Sequence, residues 1–113
     1  MVVGPQLIQQ KFASANVLKG AFTGNSVNRP IALIDVQDVA EAHLQSILKP
    51  EANGRRFLLI SKHTYFCVIN NWIYDRHHAT NPQLKRNDDE IGKIKNLDNE
   101  STISVLGINF KDV

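Results

Sequence analysis

The stretch Ile31-Ala-Leu-Ile-Asp-Val-Gln-Asp-Val-Ala-Glu-Ala-His43 constrains the fold of this chain more than any other. A short apolar run ends in Asp35, and Asp38 follows three residues later. Small and apolar residues then lead to Ala42-His43. The first turn of a helix carries backbone N–H groups with no partner inside the helix, and an Asp at the boundary can accept from them. The segment therefore reads as a strand running straight into a capped helix, with Asp35 or Asp38 as the cap. This role is structural; the two Asp residues are not read as a catalytic carboxylate pair. Val36, Val39, Ala40, His43, Leu44, Ile47 and Leu48 are expected to form the inner stripe of the helix, which Pro50 and Gly54 end.

The other elements separate cleanly around this corner. Gly4-Pro5 marks a turn after the apolar start Met1 to Val3. From Leu7 to Phe22 the residues Ile8, Phe12, Ala15, Leu18 and Phe22 recur at helical spacing, and Gly20 and Gly24 close that helix. Ile31 to Ile34 is a short buried strand. Arg56 to Ile60 reads as a second strand, apolar past Arg56 and so expected to be buried on both faces. Tyr65, Phe66, Ile69, Trp72 and Ile73 form a third helical stripe. Ala79 to Glu90 is polar and rich in Asn and Asp, and reads as loop or poorly ordered chain. Lys93 to Leu97 alternates weakly, as an edge strand protected by its lysines would. The stretch 79–97 is thus loop-rich. Asp98-Asn99 caps a short helix through Leu106, with Gly107 just past its end. The order α, β, α, β, α, weak β, α predicts an α/β or α+β layered domain.

Composition narrows the function classes. The 113 residues suffice for one small domain with one core. A net charge of +2 favours neither nucleic acid nor a membrane surface. Lys85-Arg86 is followed at once by Asn87-Asp-Asp-Glu90, so this basic pair is charge-compensated and a poor nucleic-acid footprint. No apolar run approaches the roughly 20 residues that span a bilayer. Cys67 is the lone cysteine, which excludes an internal disulfide and points to a reducing, cytoplasmic setting.

Candidate chemistry is sparse. A dinucleotide site needs a glycine-rich turn between strand and helix, so that backbone can approach the pyrophosphate. The glycines lie at 4, 20, 24, 54, 92 and 107, and no three have that spacing. His77-His78 with Asp75 could ligate a metal, but adjacent helical residues point about 100° apart. They read as a solvated helix end, where a protonated His suits the dipole. His43 reads as a hydrogen-bonded core histidine. Cys67 has no basic neighbour within three residues and reads as packing, not as a nucleophile.

Four segments, in order, resemble the extended short-chain dehydrogenase/reductases, the epimerase/dehydratase-like family, and within it the dihydroflavonol-reductase and cinnamoyl-CoA-reductase-like enzymes. Val2-Val-Gly-Pro5 resembles the end of the family's Asn-Pro-x-x-Val-x-Gly-Pro loop. Ile34-Asp-Val-Gln-Asp-Val-Ala-Glu-Ala-His43 resembles its Val-Asp-Val-x-Asp-Val-Ala-x-Ala-His segment. Gly54-Arg-Arg-Phe-Leu-Leu-Ile-Ser61 resembles its Gly-Arg-Tyr strand, with Phe57 near the Tyr and one Arg extra. Asp98-Asn-Glu-Ser101 through Leu106-Gly-Ile-Asn-Phe110 resembles its short capped helix and Leu-Gly-x-x-Phe ending.

The resemblance implies a partial α/β lobe, helices packed on a few short strands, from the substrate side of a Rossmann-type reductase. In the complete enzyme NADP or NAD exchanges a hydride with a small carbonyl or alcohol substrate. The family's catalytic Tyr and Lys stand four residues apart on a helix, the Lys lowering the Tyr pKa. Here Tyr65 meets Ile69 and Tyr74 meets His78 at that offset, so no catalytic residue is assigned. The family's loop Val, against the nicotinamide, falls on Val2, and a Ser lining the cofactor site falls on Ser14. The family's Asn-Pro is absent before Val2, and its usual further helix is absent after Phe110. The expectation is a lobe that is inactive alone, binds the dinucleotide weakly or not at all, and self-associates through an exposed apolar face. The alternative is a non-catalytic protein-interaction module derived from the same lobe.

Overall fold

The computed structural model describes residues 1–5, 13–23 and 28–113. Three strands, β1 (Val2–Val3), β2 (Pro30–Asp35) and β3 (Lys62–Tyr65), form one sheet in the order β1-β2-β3. β1 runs parallel to β2, with Val2 opposite Ile34 and Val3 opposite Asp35. Four helices accompany them: α1 (Ala13–Thr23), α2 (Val36–Leu48), α3 (Phe66–His77) and α4 (Glu100–Leu106). The architecture is mixed α/β. No described helix is long and apolar enough to cross a membrane.

The chain divides into two compact units: Met1–Gln6, Ala32–His63 and Lys95–Val113 form one, and Leu7–Ile31 with Thr64–Ile94 the other. In the first unit β2 occupies the middle of the sheet. Its successive residues Leu33 and Ile34 point to opposite faces, and both are buried. α2 follows β2 with no intervening loop. It stops at Leu48 because Pro50 cannot continue it; Lys49 N–H donates to Gln45 O, and a single 3-10 turn, Pro50–Ala52, follows. Ala42, Ala52, Leu106 and Ile108 make the core, with Phe57, Leu59 and Phe110 packed against it. α4 closes on Gly107, which adopts the left-handed conformation that glycine tolerates best (φ 67°).

The expected strand Arg56–Ile60 does not form. Its carbonyls bond side chains in place of a neighbouring strand: Thr102 Oγ1 donates to Leu58 O at 2.8 Å and Asn99 Nδ2 to Ile60 O at 2.8 Å. Nor is it buried on both faces, since Leu58 is 42% exposed. The strand lies further on, at β3. Lys93–Leu97 is also no strand; Lys95 O bonds the His63 ring at 2.8 Å.

In the second unit α1 packs on α3. The expected stripe residues Ile8 and Phe12, and the closing Gly24, lie outside the described residues. The side chain of Phe22 also lies outside the described ones; among those described, Ala15 and Leu18 are exposed whereas Val17 and Gly20 are half-buried, a face rotated from the expected one. Gly20 lies inside the helix, which ends where Thr23 Oγ1 donates to the carbonyls of Lys19 and Gly20. α3 buries Phe66, Cys67, Ile69 and Asn70; Trp72, expected inside, is exposed.

Residues 79–90 form a loop that is closely held. Asn71 exchanges two hydrogen bonds with the backbone of Asn87, donating to its carbonyl (3.0 Å) and accepting from its N–H (2.9 Å). Asn70 Nδ2 donates to Lys85 O (2.8 Å), and Asn28 Nδ2 to Glu90 O (3.3 Å). Leu84 anchors the loop as a buried apolar residue.

Candidate functional site

The corner between β1, β2 and α2 carries the residues that the sequence singles out. Gly4 packs on the first residue of α2, and a Cβ at Gly4 would run into Val36 Cγ1. Asp35 is the N-cap: its backbone is extended (φ −68°, ψ 140°) and its Oδ1 accepts the Gln37 N–H at 2.7 Å. Asp38 does something else. It is buried within the first turn, and its Oδ2 accepts the Lys111 N–H at 2.7 Å, 73 residues away in sequence. The Lys111 carbonyl accepts from Ser61 Oγ, and Lys111 Nζ donates to Gln37 Oε1. Lys62 Nζ reaches Asp112 and the Val113 carbonyl, each at 3.1 Å. Both corner carboxylates thus act as acceptors for backbone N–H groups. One caps a helix, and the other fastens the segment around Lys111.

A groove of about 320 Å³ lies beside α2, lined by Ala42, His43, Ser46, Ile47, Phe57, Leu59 and Leu106. That volume is at the small end of ligand pockets, which run roughly 300–1,000 Å³. His43 is exposed, not in the core as its stripe position suggested, because α2 buries the side that carries Asp38 and Ala42. The ring is hydrogen-bonded as expected, with Nδ1 2.7 Å from Val39 O. In a neutral ring so placed the proton is on Nδ1, and Nε2 is an acceptor. Ser46 Oγ donates to Ala42 O at 2.7 Å. The groove is otherwise apolar.

The remaining candidates have structural partners. Cys67 is buried in α3; its N–H donates to Asn28 Oδ1 and its thiol lies 3.8 Å from Asp89 O. Packing is its role here. His78 stacks on Tyr74 and bonds Tyr74 O at 2.7 Å. Asp75 pairs with Arg86 at 2.6 Å, and Arg86 also reaches Asp88. Among the described residues no three His, Cys, Asp or Glu side chains gather as a metal site. Val2 lies on β1 with an exposed side chain. Ser14 lies in the first turn of α1, and its side chain is outside the described residues. The two belong to different units.

Sequence reasoning missed the amides Asn28, Asn70 and Asn71. The available signal was an Asn pair inside an apolar helical run, where Asn is a poor helix former and needs a reason to be.

No family model matches the chain. A ketoreductase of Aspergillus niger, azaE, is 33% identical over 80% of the chain, which spans 28% of that protein's length. Among solved structures, yeast methylglyoxal/isovaleraldehyde reductase Gre2 complexed with NADPH superposes with a TM-score of 0.67 at 26% identity, over 99% of this chain and 40% of that one. Gre2 from Candida albicans gives a TM-score of 0.68 at 23% identity, over 99% of this chain and 38% of that one. Sequence and fold both tie the chain to reductases of the short-chain dehydrogenase/reductase type.

The described glycines nevertheless do not fit a dinucleotide's pyrophosphate. Gly4 is packed on Val36, Gly20 is helical, Gly92 lies against the Tyr65 hydroxyl, and Gly54 and Gly107 occupy left-handed turn positions. None of these described glycines belongs to a glycine-rich strand-to-helix turn.

Proposed function

We propose that this chain forms the substrate-side portion of an NADP(H)- or NAD(H)-dependent reductase of the extended short-chain, epimerase/dehydratase-like type. Its substrate is a small carbonyl compound or the corresponding alcohol. The dinucleotide supplies or takes up the hydride in such an enzyme. The part of this chain is to wall the pocket, with its corner held by Asp35, Asp38 and Gly4. Alone it is inactive, since it has neither the Tyr–Lys pair nor the phosphate-binding turn. The buried lone thiol of Cys67 suits a cytoplasmic setting.

One observation carries this reading. The likeness to reductases runs through nearly the whole chain in fold and through most of it in sequence, while covering 28–40% of each relative. The alternative, a non-catalytic interaction module, draws support from the apolar face that α2 turns to solvent.

A chimera tests the proposal. The chain replaces the matching segment of the Aspergillus niger ketoreductase, and carbonyl-dependent oxidation of NADPH is followed. The expected result is turnover with an altered preference among carbonyl substrates. A folded chimera that binds NADPH and reduces no carbonyl compound would contradict the proposal and favour the interaction module.

A further inference from the structure

α3 presents one face at helical spacing: Cys67, Asn70, Asn71, Tyr74 and Asp75. Residues 85–90 lie along it in reverse order and meet it mainly through their backbone. Arg86 pairs with Asp75 at 2.6 Å and lies over the Tyr74 ring, 5.6 Å from its centre. One turn back, Asn71 both donates to and accepts from the Asn87 backbone, and Asn70 Nδ2 donates to Lys85 O. At the start of the helix Asn28, whose Oδ1 accepts the Cys67 N–H, donates to Glu90 O. All of these residues belong to one unit. Three amides thus read main chain, and an acid–aromatic pair reads an arginine. Peptide-binding grooves divide the work in this way: main-chain bonds give affinity and side-chain pockets give specificity.

We infer that α3 and Asn28 form a binding site for an arginine-bearing peptide of another polypeptide, and that residues 85–90 hold its place in cis. The amides require an occupant, since Asn70 is 2% exposed and a buried polar group without a partner is costly. The present occupant buries little of itself. Lys85, Arg86 and residues 88–90 are exposed and form neither helix nor strand, and the apolar anchor, Leu84, lies just before them. Such a segment opens locally at less cost than the whole domain unfolds. Its tether keeps it at high effective concentration, so the site is self-blocked until a competing peptide outbids it. A second copy is the poorer occupant, because its own segment is tethered to its own α3. This inference rests on one unit and is independent of the reductase reading.

Fluorescence anisotropy with a labelled synthetic peptide of the sequence Lys85–Ile91 tests it on the full 113-residue chain carrying Asn87→Pro. That change removes the N–H that Asn71 accepts and leaves every residue of the site in place. The variant should keep the wild-type circular dichroism and bind the peptide saturably. The wild-type chain should bind it at least about 10-fold more weakly, because the tethered segment competes. Arg86→Ala in the peptide, or Asn71→Ala added to the chain, should each weaken binding about 10-fold, the scale of the hydrogen bonds lost. A peptide of the same length with arginine second and alanine elsewhere should bind better than the one lacking arginine. A folded Asn87→Pro chain that binds no peptide would overturn the inference, as would binding indifferent to Asn71→Ala or to the arginine. Hydrogen exchange of the wild-type chain decides if that variant does not fold. The Asn87 amide should then exchange at least about 10-fold faster than the buried Ile69 amide of α3, and equal rates would overturn the inference.

Discussion

α2 and α3 differ by one residue in length, each follows directly from a strand, and they are built by opposite means. α2 is capped locally by Asp35, its own preceding residue. α3 has no side-chain cap from Tyr65; its first N–H groups are taken by Arg29 O and Asn28 Oδ1, from chain almost forty residues upstream. α2 has the cleaner apolar stripe and exposes it. α3 mixes Cys67 and Asn70 with Phe66 and Ile69, and buries all four. The comparison teaches that helical periodicity fixes where a helix runs and how its residues are phased. It does not say which side this chain covers.

The largest effect should come from setting one anchor of each helix against the other. Phe66→Ala removes a fully buried ring from α3 and should cost about 3–5 kcal/mol in urea unfolding. Leu44→Ala, at half exposure on α2, should stay within about 0.5 kcal/mol when measured at concentrations low enough for monomer. Equal costs would mean that the apolar face of α2 is covered within the chain.

A smaller effect tests the amide clasp of α3. Asn71→Ala strands the N–H and the carbonyl of Asn87 and should cost about 1–3 kcal/mol. Hydrogen exchange should report faster opening at the Asn87 amide while the α2 amides keep their rates. Unchanged protection there would show that residues 79–90 are held by Leu84 and not by the amides.

The smallest belongs to the local cap of α2. Asp35→Ala should destabilise by about 0.5–2 kcal/mol, and Asp35→Asn, which can still accept from Gln37 N–H, by less. If Asp35→Asn cost as much as Asp35→Ala, charge at the helix N-terminus would matter more than the capping bond.

These cases also mark what the sequence discloses. The βα corner and its Asp35 cap are legible because the bond spans two residues, and the Gly107 stop because its N–H bonds Ile103, four residues back. Asp38 could be assigned to the corner but not to Lys111, since a partner 73 residues away leaves no local pattern. The segment Arg56–Ile60 has the composition of a strand. Its ladder is replaced by Asn99 and Thr102, 39 and 44 residues away, which no spacing reveals. Periodicity places His43 and Leu44 inside because it cannot sense that α2 buries its Asp38–Ala42 side. At the site, the corner was readable, whereas the groove depends on residues from α2, the Phe57–Leu59 segment and α4 meeting in space. Val2 and Ser14 rest on resemblance to the reductases, and of the two only Val2 has a described side chain.

The account turns on a chain that has the fold of the reductases' matching portion and whose described glycines form no dinucleotide turn. Calorimetric titration of the full chain with NADPH tests that most directly. The account predicts no saturable binding below millimolar concentration, because among the described residues no glycine turn offers the pyrophosphate its backbone N–H groups. Stoichiometric binding with micromolar affinity would contradict it.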